Sequence, residues 1–289
     1  MAAISNLGVG GLSEVLTLYV MQAFGAPITR ELLNSTLFIP ATGSNSLIYT
    51  RALALLRSDV LLKTRITASE RSAAGIKLTT HNPTTGARKL ILARKLLITP
   101  PPSLNTLAPL SPDAHETRLL STFTPTWNFI GIAHIPSLPE NVSINHFSPE
   151  AVPSNHLAVR NWPWTLRLDS TGPVGSGLWR VLFATDFAIS HQQAKATVAS
   201  SVANLFQEGG IYAGQADGEA EFRAFADHNS VLWRQEAGLL RQGLVGEIYA
   251  LQGRRSTWFT GNLWSGDYTG NVWAFTEDLL PRLVESLGE

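Results

Sequence analysis

The segment Trp258–Leu283, WFTGNLWSGDYTGNVWAFTEDLLPRL, decides how the C-terminal part of the chain is interpreted. It crowds three glycines and three tryptophans around the start of a helical pattern. Glycine lets the backbone approach a ligand closely, and tryptophan supplies a flat apolar surface with one donor. A helix start adds unpaired N–H groups and a partial positive charge. The pattern is typical of a docking place for a planar, electron-rich ligand; a packed strand–loop–helix corner with core tryptophans is the alternative.

The composition indicates a globular protein with a substantial core. Of 289 residues, 44% are hydrophobic and 15% are charged, and the formal net charge is zero. A nucleic-acid-binding protein would show a basic stripe. The nearest feature, Arg88–Lys89 with Arg94–Lys95, predicts the solvated edge of a strand. We therefore expect no nucleic-acid partner.

Cysteine is absent from the sequence, which excludes disulfides, thiolate metal ligands, a cysteine nucleophile and cysteinyl attachment of a cofactor. No apolar run reaches membrane-spanning length, so we expect no membrane partner. The first 25 residues lack a basic region before an apolar stretch, which predicts a cytoplasmic protein without a signal peptide.

Hydrophobic periodicity and turn residues predict the elements of the first hundred residues. An apolar face with Gly25 after its end predicts a helix over residues 12–24, and a shorter helix is predicted over residues 47–56. Three strands follow, joined by short polar turns in an antiparallel meander. Their predicted ranges are residues 59–69, 75–80 and 89–99.

The remainder of the chain mixes strands and helices without regular βαβ alternation, so the predicted fold class is α+β. Residues 103–163 are predicted to form strands and loops with one short helix near residues 113–120. A β-like run at residues 178–189 precedes the other predicted elements. These are a helix over residues 192–206 with Ser190 as N-cap, a helix over 236–251, a short run at 255–260, and a final helix over 272–287.

Motifs for common catalytic chemistries do not occur. The seven histidines are spread singly, without the spacing of a metal site, so no metal is expected. No G-x-S-x-G elbow or Walker loop is present. Gly8–Gly11 does not follow a strand or match G-x-G-x-x-G, and a flexible loop before the first helix explains it better. The sequence assigns no catalytic base.

Several segments, in order along the chain, resemble the flavin-containing amine oxidase superfamily. Phe259–Gly261, Trp264–Gly266 and Gly270–Val272 resemble its C-terminal flavin motif. Val60–Ile66 resembles the strand that contacts the adenine of FAD, and Lys95–Pro102 the crossover into the substrate domain. Further segments resemble the fungal β-cyclopiazonate dehydrogenase-like branch of secondary metabolism: Ala226–Asn229, Tyr249–Gly253 and Leu279–Leu283.

The resemblance implies an FAD-linked oxidoreductase that accepts hydride from a small natural-product intermediate. FAD would be held noncovalently, because there is no cysteine to attach it. Carried over by position, Arg65 and Ile66 would line the adenine, while Gly261 and Asn262 would approach the ribityl-pyrophosphate region. The backbone of Tyr268, Thr269 and Gly270 would lie near the pyrimidine edge of the flavin. The dipole of the final helix would stabilise negative charge on the reduced ring.

The resemblance covers only the C-terminal half to two-thirds of such an enzyme, since the Rossmann unit with G-x-G-x-x-G is not found in this sequence. It divides the chain into a partial FAD-binding region with a β-meander (1–102), a mixed-sheet substrate region (103–225) and a return to the FAD-binding region (226–289). A second polypeptide could supply the Rossmann unit. The alternative is a flavin-free homologue that acts as a binding protein or as a cofactor-independent isomerase or cyclase.

Overall fold

The computed structural model describes residues 16–23, 25–36, 40–101, 103–123, 127–145, 164–185, 187–207, 210–212, 218–228, 235–266 and 269–288. The chain forms two compact units. The first contains residues 1–20 and 123–235, and the second contains residues 21–122 and 236–289. The predicted division into FAD-binding and substrate regions, with boundaries at residues 102 and 225, stays a prediction, because packing alone does not identify which residues bind a cofactor.

Helices and strands are mixed along the chain, which confirms the α+β class. The helices are α1 (Thr17–Ala23), α2 (Ala26–Leu33), α3 (Ser46–Leu56), α4 (Leu104–Leu107), α5 (Ala114–Leu120), α6 (His191–Asn204), α7 (Ala237–Arg241), α8 (Leu244–Tyr249), α9 (Asn262–Ser265) and α10 (Thr269–Glu285). The strands are β1 (Arg65–Ser72), β2 (Gly75–His81), β3 (Arg88–Ala93), β4 (Leu96–Ile98), β5 (Trp127–His134), β6 (Ser143–Asn145), β7 (Trp164–Thr171), β8 (Leu178–Thr185), β9 (Glu221–Asp227) and β10 (Thr257–Phe259).

The first unit is built on a five-stranded antiparallel sheet with the order β6-β7-β8-β5-β9. Alternate residues of its strands join one buried cluster, in which Phe129 of β5 and Phe183 of β8 pack with Val198 of α6. The predicted N-cap of α6 is confirmed, because the Ser190 side chain accepts from the N–H of Gln193 in a capping box. Helix α6 thus covers one face of the sheet.

The second unit contains the predicted antiparallel meander, with the order β1-β2-β3. Two predicted strand ranges are wrong. No strand forms over residues 59–64, because Arg57–Asp59 form a 3₁₀ turn and Lys63 has a φ of 53°, so the strand begins at Arg65. The predicted strand 89–99 is two strands, since β3 ends at Ala93 and β4 pairs with a different partner.

Two predicted helices also differ from the structure. The helix predicted over residues 236–251 is divided into α7 and α8, because Gly243 adopts a φ of 88° between them. The described part of the first helix, α1, begins at Thr17, and residues 12–15 and 24 of the prediction lie outside the described residues. The last helix begins at Thr269, three residues before the predicted start.

A buried ion pair joins the meander to α5, and its arginine also bonds to the C-terminal strand of the second unit. Arg71 of β1 makes two hydrogen bonds to Glu116 of α5, at 2.9 and 2.7 Å, and both side chains are 1% exposed. Arg71 also donates to the Thr257 hydroxyl at 3.1 Å, and Arg255 donates to Glu116 at 3.1 Å. Because Arg255 and Ser256 both have positive φ, this cluster fixes a strained turn just before β10.

Candidate functional site

Strand β10 runs parallel to β4 and carries the start of the predicted flavin motif. Trp258 pairs with Leu97, and the N–H of Thr260 donates to the Ile98 carbonyl at 2.9 Å. The structure thus brings the crossover segment beside the C-terminal motif, although the two are about 160 residues apart in the sequence. The sequence resemblance identifies both segments but does not predict that they pair.

Gly261 ends this pair of strands in a conformation that requires glycine. Its φ is 108° and its ψ is −171°, and a Cβ there would lie 2.6 Å from the Thr99 carbonyl oxygen. The turn is held by the Ser265 hydroxyl, which donates to the Gly261 carbonyl at 3.0 Å. The need for glycine at this position therefore comes from the approach of two backbone segments, and its predicted role toward the pyrophosphate stays a prediction.

The first turn of α10 is open, in contrast to the close backbone contact at Gly261. Thr269 and Gly270 are exposed, and a Cβ on Gly270 would meet no atom within 4 Å. Helix α10 has 17 residues, so its first N–H groups carry the partial positive charge of a long helix. Tyr268, the third backbone position predicted near the pyrimidine edge, lies outside the described residues.

The motif tryptophans differ in burial, which bears on whether the motif is a packed corner or a docking place for a ligand. Trp258 and Trp264 are each 5% exposed, which matches the packed corner, whereas Trp273 on α10 is 57% exposed. Trp264 packs edge-on against Tyr249, and the Trp258 ring lies under the Arg282 guanidinium. Both buried indole N–H groups nevertheless have no acceptor within the described structure.

The remaining predicted site residues lie on other elements. Asn262 begins α9, directly after Gly261. Arg65 and Ile66 begin β1, at the opposite end of that strand from the Arg71 cluster. Within the described ranges, no hydrogen bond or ion pair joins Arg65 or Ile66 to the C-terminal motif. Their predicted place beside the adenine therefore stays a prediction.

Ionisable groups are absent from the described part of the motif, residues 257–266 and 269–276. In the same unit, Asp113 is a carboxylate whose pKa is shifted. It is the N-cap of α5 and accepts a hydrogen bond from the N–H of Glu116 at 2.8 Å. Burial acts to raise the pKa of Asp113, but that N–H and the guanidinium groups of Arg254 and Arg255 outweigh it and lower the pKa. These contacts stabilise the turn before β10 and do not supply a catalytic base.

The residues present fit a flavin at the open side of the motif. The free space beside Gly270 and the first N–H groups of α10 would suit a planar ligand with several acceptors. In the described residues, no three His, Asp or Glu side chains converge to hold a metal ion. No helix in the same part of the chain is long and apolar enough to cross a bilayer.

Comparisons with curated proteins confirm the resemblance to FAD-dependent oxidoreductases. The chain is 30% identical to the FAD-dependent oxidoreductase pigF of Monascus ruber over 98% of its own length, and 30% identical to the β-cyclopiazonate dehydrogenase of Aspergillus flavus over 96%. It spans 59% and 58% of those two proteins, so about two fifths of each lies outside the match. No family model matches the chain.

Comparisons with solved structures bear on the fold. A CLA-producing fatty acid isomerase from P. acnes superposes with a TM-score of 0.67 over 95% of this chain and 60% of the isomerase, at 15% identity. A candidate protoporphyrinogen oxidase from Exiguobacterium sp. 255-15 gives 0.54 over 84% of this chain and 51% of its own, at 16% identity. The α+β arrangement of the chain is thus shared with larger enzymes.

Proposed function

We propose that this chain forms the flavin-facing part of an FAD-dependent oxidoreductase of fungal secondary metabolism, which removes hydride from a small natural-product intermediate. The observation that carries the proposal is the open first turn of α10 at Gly270. The similarity of nearly the whole chain to curated FAD-dependent oxidoreductases supports it. The cytoplasmic location expected from the sequence stays a prediction.

The chain would hold the cofactor through backbone N–H groups more than through side chains. The first N–H groups of α10, at Thr269 and Gly270, would face the pyrimidine edge of the ring together with the backbone of Tyr268, whose placement stays a prediction. Gly261 with Asn262 would face the ribityl chain and pyrophosphate. Arg65 and Ile66 would line the adenine. FAD, when bound, supplies the hydride acceptor, and the positive end of α10 favours the negative charge that hydride acceptance adds.

The described motif offers no proton acceptor at the flavin. Residues 257–266 and 269–276 contain no histidine, lysine or carboxylate. The roles left to these residues are binding, orientation and exclusion of water, and the buried Trp258 and Trp264 rings would contribute to the exclusion of water. A proton released from the substrate would therefore go to a group outside residues 257–266 and 269–276.

We also propose that a further polypeptide completes the cofactor site by supplying the dinucleotide-binding unit. Such a unit holds the pyrophosphate on a helix N-terminus and the ribose hydroxyls on a carboxylate. Charge-assisted hydrogen bonds of this type each contribute about 1.5–3 kcal/mol. Without these hydrogen bonds, we expect the chain alone to bind FAD weakly, so that an excess of free FAD is needed to fill the site.

The test is the binding of FAD to the purified chain and to its Gly270→Ala variant, followed by quenching of flavin fluorescence. A methyl group in the contact would cost about 1–3 kcal/mol, which is roughly a 5- to 150-fold weaker affinity. Gly246→Ala in α8 is the matched control, because Gly246 is also a helical glycine with no atom within 4 Å of the position that an added methyl group would take. It should leave binding unchanged.

Three results would contradict the proposal. A wild-type chain that stays colourless with excess FAD, both alone and joined to a dinucleotide-binding unit, would favour the flavin-free alternative. Equal loss of affinity in Gly270→Ala and Gly246→Ala would show a general effect of the added methyl. Unchanged binding in Gly270→Ala would remove the first turn of α10 from the site.

A further inference from the structure

The strained turn before β10 is fixed by hydrogen bonds to distant backbone groups of the same unit. Arg255 and Ser256 have φ values of 50° and 57°, a conformation that costs free energy in residues other than glycine. The Arg255 guanidinium donates to the carbonyls of Arg71 and Ser111, at 3.2 and 3.1 Å. The Ser256 hydroxyl donates to the Ala73 carbonyl at 3.1 Å. The turn therefore has a fixed position relative to the meander.

Strand β10 is held along both of its edges. On one edge, the carboxamide of Gln252 donates to the Phe259 carbonyl at 2.9 Å and accepts from the Phe259 N–H at 2.8 Å. On the same edge, the N–H of Gly253 donates to the Thr257 carbonyl at 2.9 Å. The other edge pairs with β4. Thr260, the residue directly after β10, thus follows a strand that is fixed at its start and at its sides.

A pair of hydroxyl groups joins the end of this strand to α10. The Oγ1 atoms of Thr260 and Thr276 lie 2.7 Å apart. Thr276 gives its hydroxyl proton to the carbonyl of Val272, which precedes it by four residues in the helix, at 2.7 Å. Because a hydroxyl has one proton to donate, Thr260 is the donor in the bond between the two threonines. Thr260 is 5% exposed, so this bond is shielded from water.

The hydroxyl pair reaches the part of α10 that is proposed to face the flavin. Val272 is the fourth residue of α10, so its carbonyl belongs to the same first turn as Gly270. Thr269 and Gly270 are exposed, and a Cβ on Gly270 would meet no atom within 4 Å. The first N–H groups of a helix also have no acceptor within the helix. The link through Thr276 to Val272 therefore supports a turn that has little packing at Gly270.

We propose that Thr260 and Thr276 are positioning residues for the cofactor, which hold the first turn of α10 at a fixed distance from β10. The inference rests on the proposed function, because this turn is the part of the chain that would contact the flavin. Without the hydroxyl pair, the turn would occupy several positions. The apparent affinity for FAD would then fall with the fraction of molecules that have the turn in the binding position.

The experiment measures FAD binding by quenching of flavin fluorescence in single and double variants. Thr260→Val keeps the shape of the side chain and removes the hydroxyl, and we expect it to bind FAD about 3- to 10-fold more weakly. Thr260→Ser keeps the hydroxyl and should bind within about 2-fold of wild type. Thr260→Val combined with Thr276→Val should bind no more weakly than Thr276→Val alone, because both changes remove the same bond.

Thr80→Val is the matched control. Thr80 is also a buried strand threonine of the second unit, 4% exposed, and its hydroxyl donates to the Lys89 carbonyl within the meander at 3.3 Å. This variant should leave FAD affinity unchanged. Hydrogen exchange gives a second readout, which does not require flavin. In Thr260→Val the amides of residues 273–276 should exchange about 10-fold faster than in wild type, while those of residues 282–285 should not change.

The outcomes separate this inference from the proposed function. Faster exchange at residues 273–276 without flavin uptake by any form would support the link between β10 and α10 and contradict the FAD site. Flavin uptake with equal affinity in wild type and Thr260→Val would overturn the inference alone. Equal losses of affinity in Thr260→Val and Thr80→Val, or no recovery in Thr260→Ser, would also overturn it. Unchanged exchange together with no flavin uptake would overturn both.

Discussion

Replacing Gly261 by alanine should destabilise the second unit far more than the same change at Gly270. The backbone at Gly261 lies in a region that only glycine adopts readily, at a cost of about 1–3 kcal/mol for other residues. The new Cβ would also lie 2.6 Å from the Thr99 carbonyl oxygen, which β4 holds in place. Such overpacking adds about 1–3 kcal/mol.

The two terms give a loss of about 2–6 kcal/mol in the free energy of unfolding. At an m-value of about 2–3 kcal/mol/M, the urea midpoint should fall by roughly 0.7–3 M. Hydrogen exchange at peptides covering β4 and β10, measured along the urea series, reports on the second unit alone. Gly270→Ala is the comparison, and we expect it to be neutral or to stabilise by up to about 1 kcal/mol, since alanine suits a helix.

The reasoning would be refuted if Gly261→Ala kept the wild-type urea midpoint, or if Gly270→Ala destabilised the unit as much. The first result would mean that the backbone around Gly261 and Thr99 can shift at little cost in free energy. The second would mean that the first turn of α10 is packed against protein after all, and would weaken the case for a ligand there.

Two further predictions concern charged groups. Glu116→Gln should lower the free energy of unfolding by about 3–5 kcal/mol, because it leaves Arg71 buried without its counter-charge. The control Glu247→Gln removes an exposed ion pair with Arg118 and should lower it by about 1 kcal/mol or less, both measured by urea unfolding. For Asp169, burial acts to raise the pKa, but the hydrogen bonds that the carboxylate accepts outweigh burial and lower the pKa. The carboxylate therefore contributes to the free energy of unfolding above about pH 4, and this contribution is lost as the pH falls below that value. Asp169→Asn should accordingly be less stable than wild type at pH 7, with the difference shrinking towards pH 3 in the same assay; a constant difference would contradict the assignment.

Local patterns in the sequence identify the elements whose stability is local. The N-cap Ser190, the Asn82–Gly86 turn and the period-2 strands of the meander are specified by neighbours along the chain. The break between α7 and α8 escapes this kind of reasoning because Leu240, Leu244 and Ile248 continue one helical stripe through it. The segment contains three glycines, and the sequence does not show which of them ends the first helix.

Long-range pairing is where sequence reasoning stops. Nothing in the composition of residues 89–99 shows that Ala93 ends one strand and that Leu96 begins another in a different sheet. The distinction depends on Trp258 and its neighbours, about 160 residues later, to which β4 pairs in parallel. The Arg71–Glu116 contact is hidden for the same reason, since each residue alone is typical of an exposed strand or helix.

At the candidate site the sequence pattern treats Gly261 and Gly270 alike, and the structure distinguishes them. Gly261 is required by the Thr99 carbonyl, so its presence is explained without a ligand. Gly270 lies in a helical turn with free space beside it, where alanine would favour the helix, so packing does not explain it. Gly246 has the same free space in α8, so the comparison of FAD binding by the Gly270→Ala and Gly246→Ala variants decides whether a ligand uses the space beside Gly270. The case for a ligand therefore depends on Gly270 and the start of α10, while Gly261 and β10 supply the rigid support that positions it.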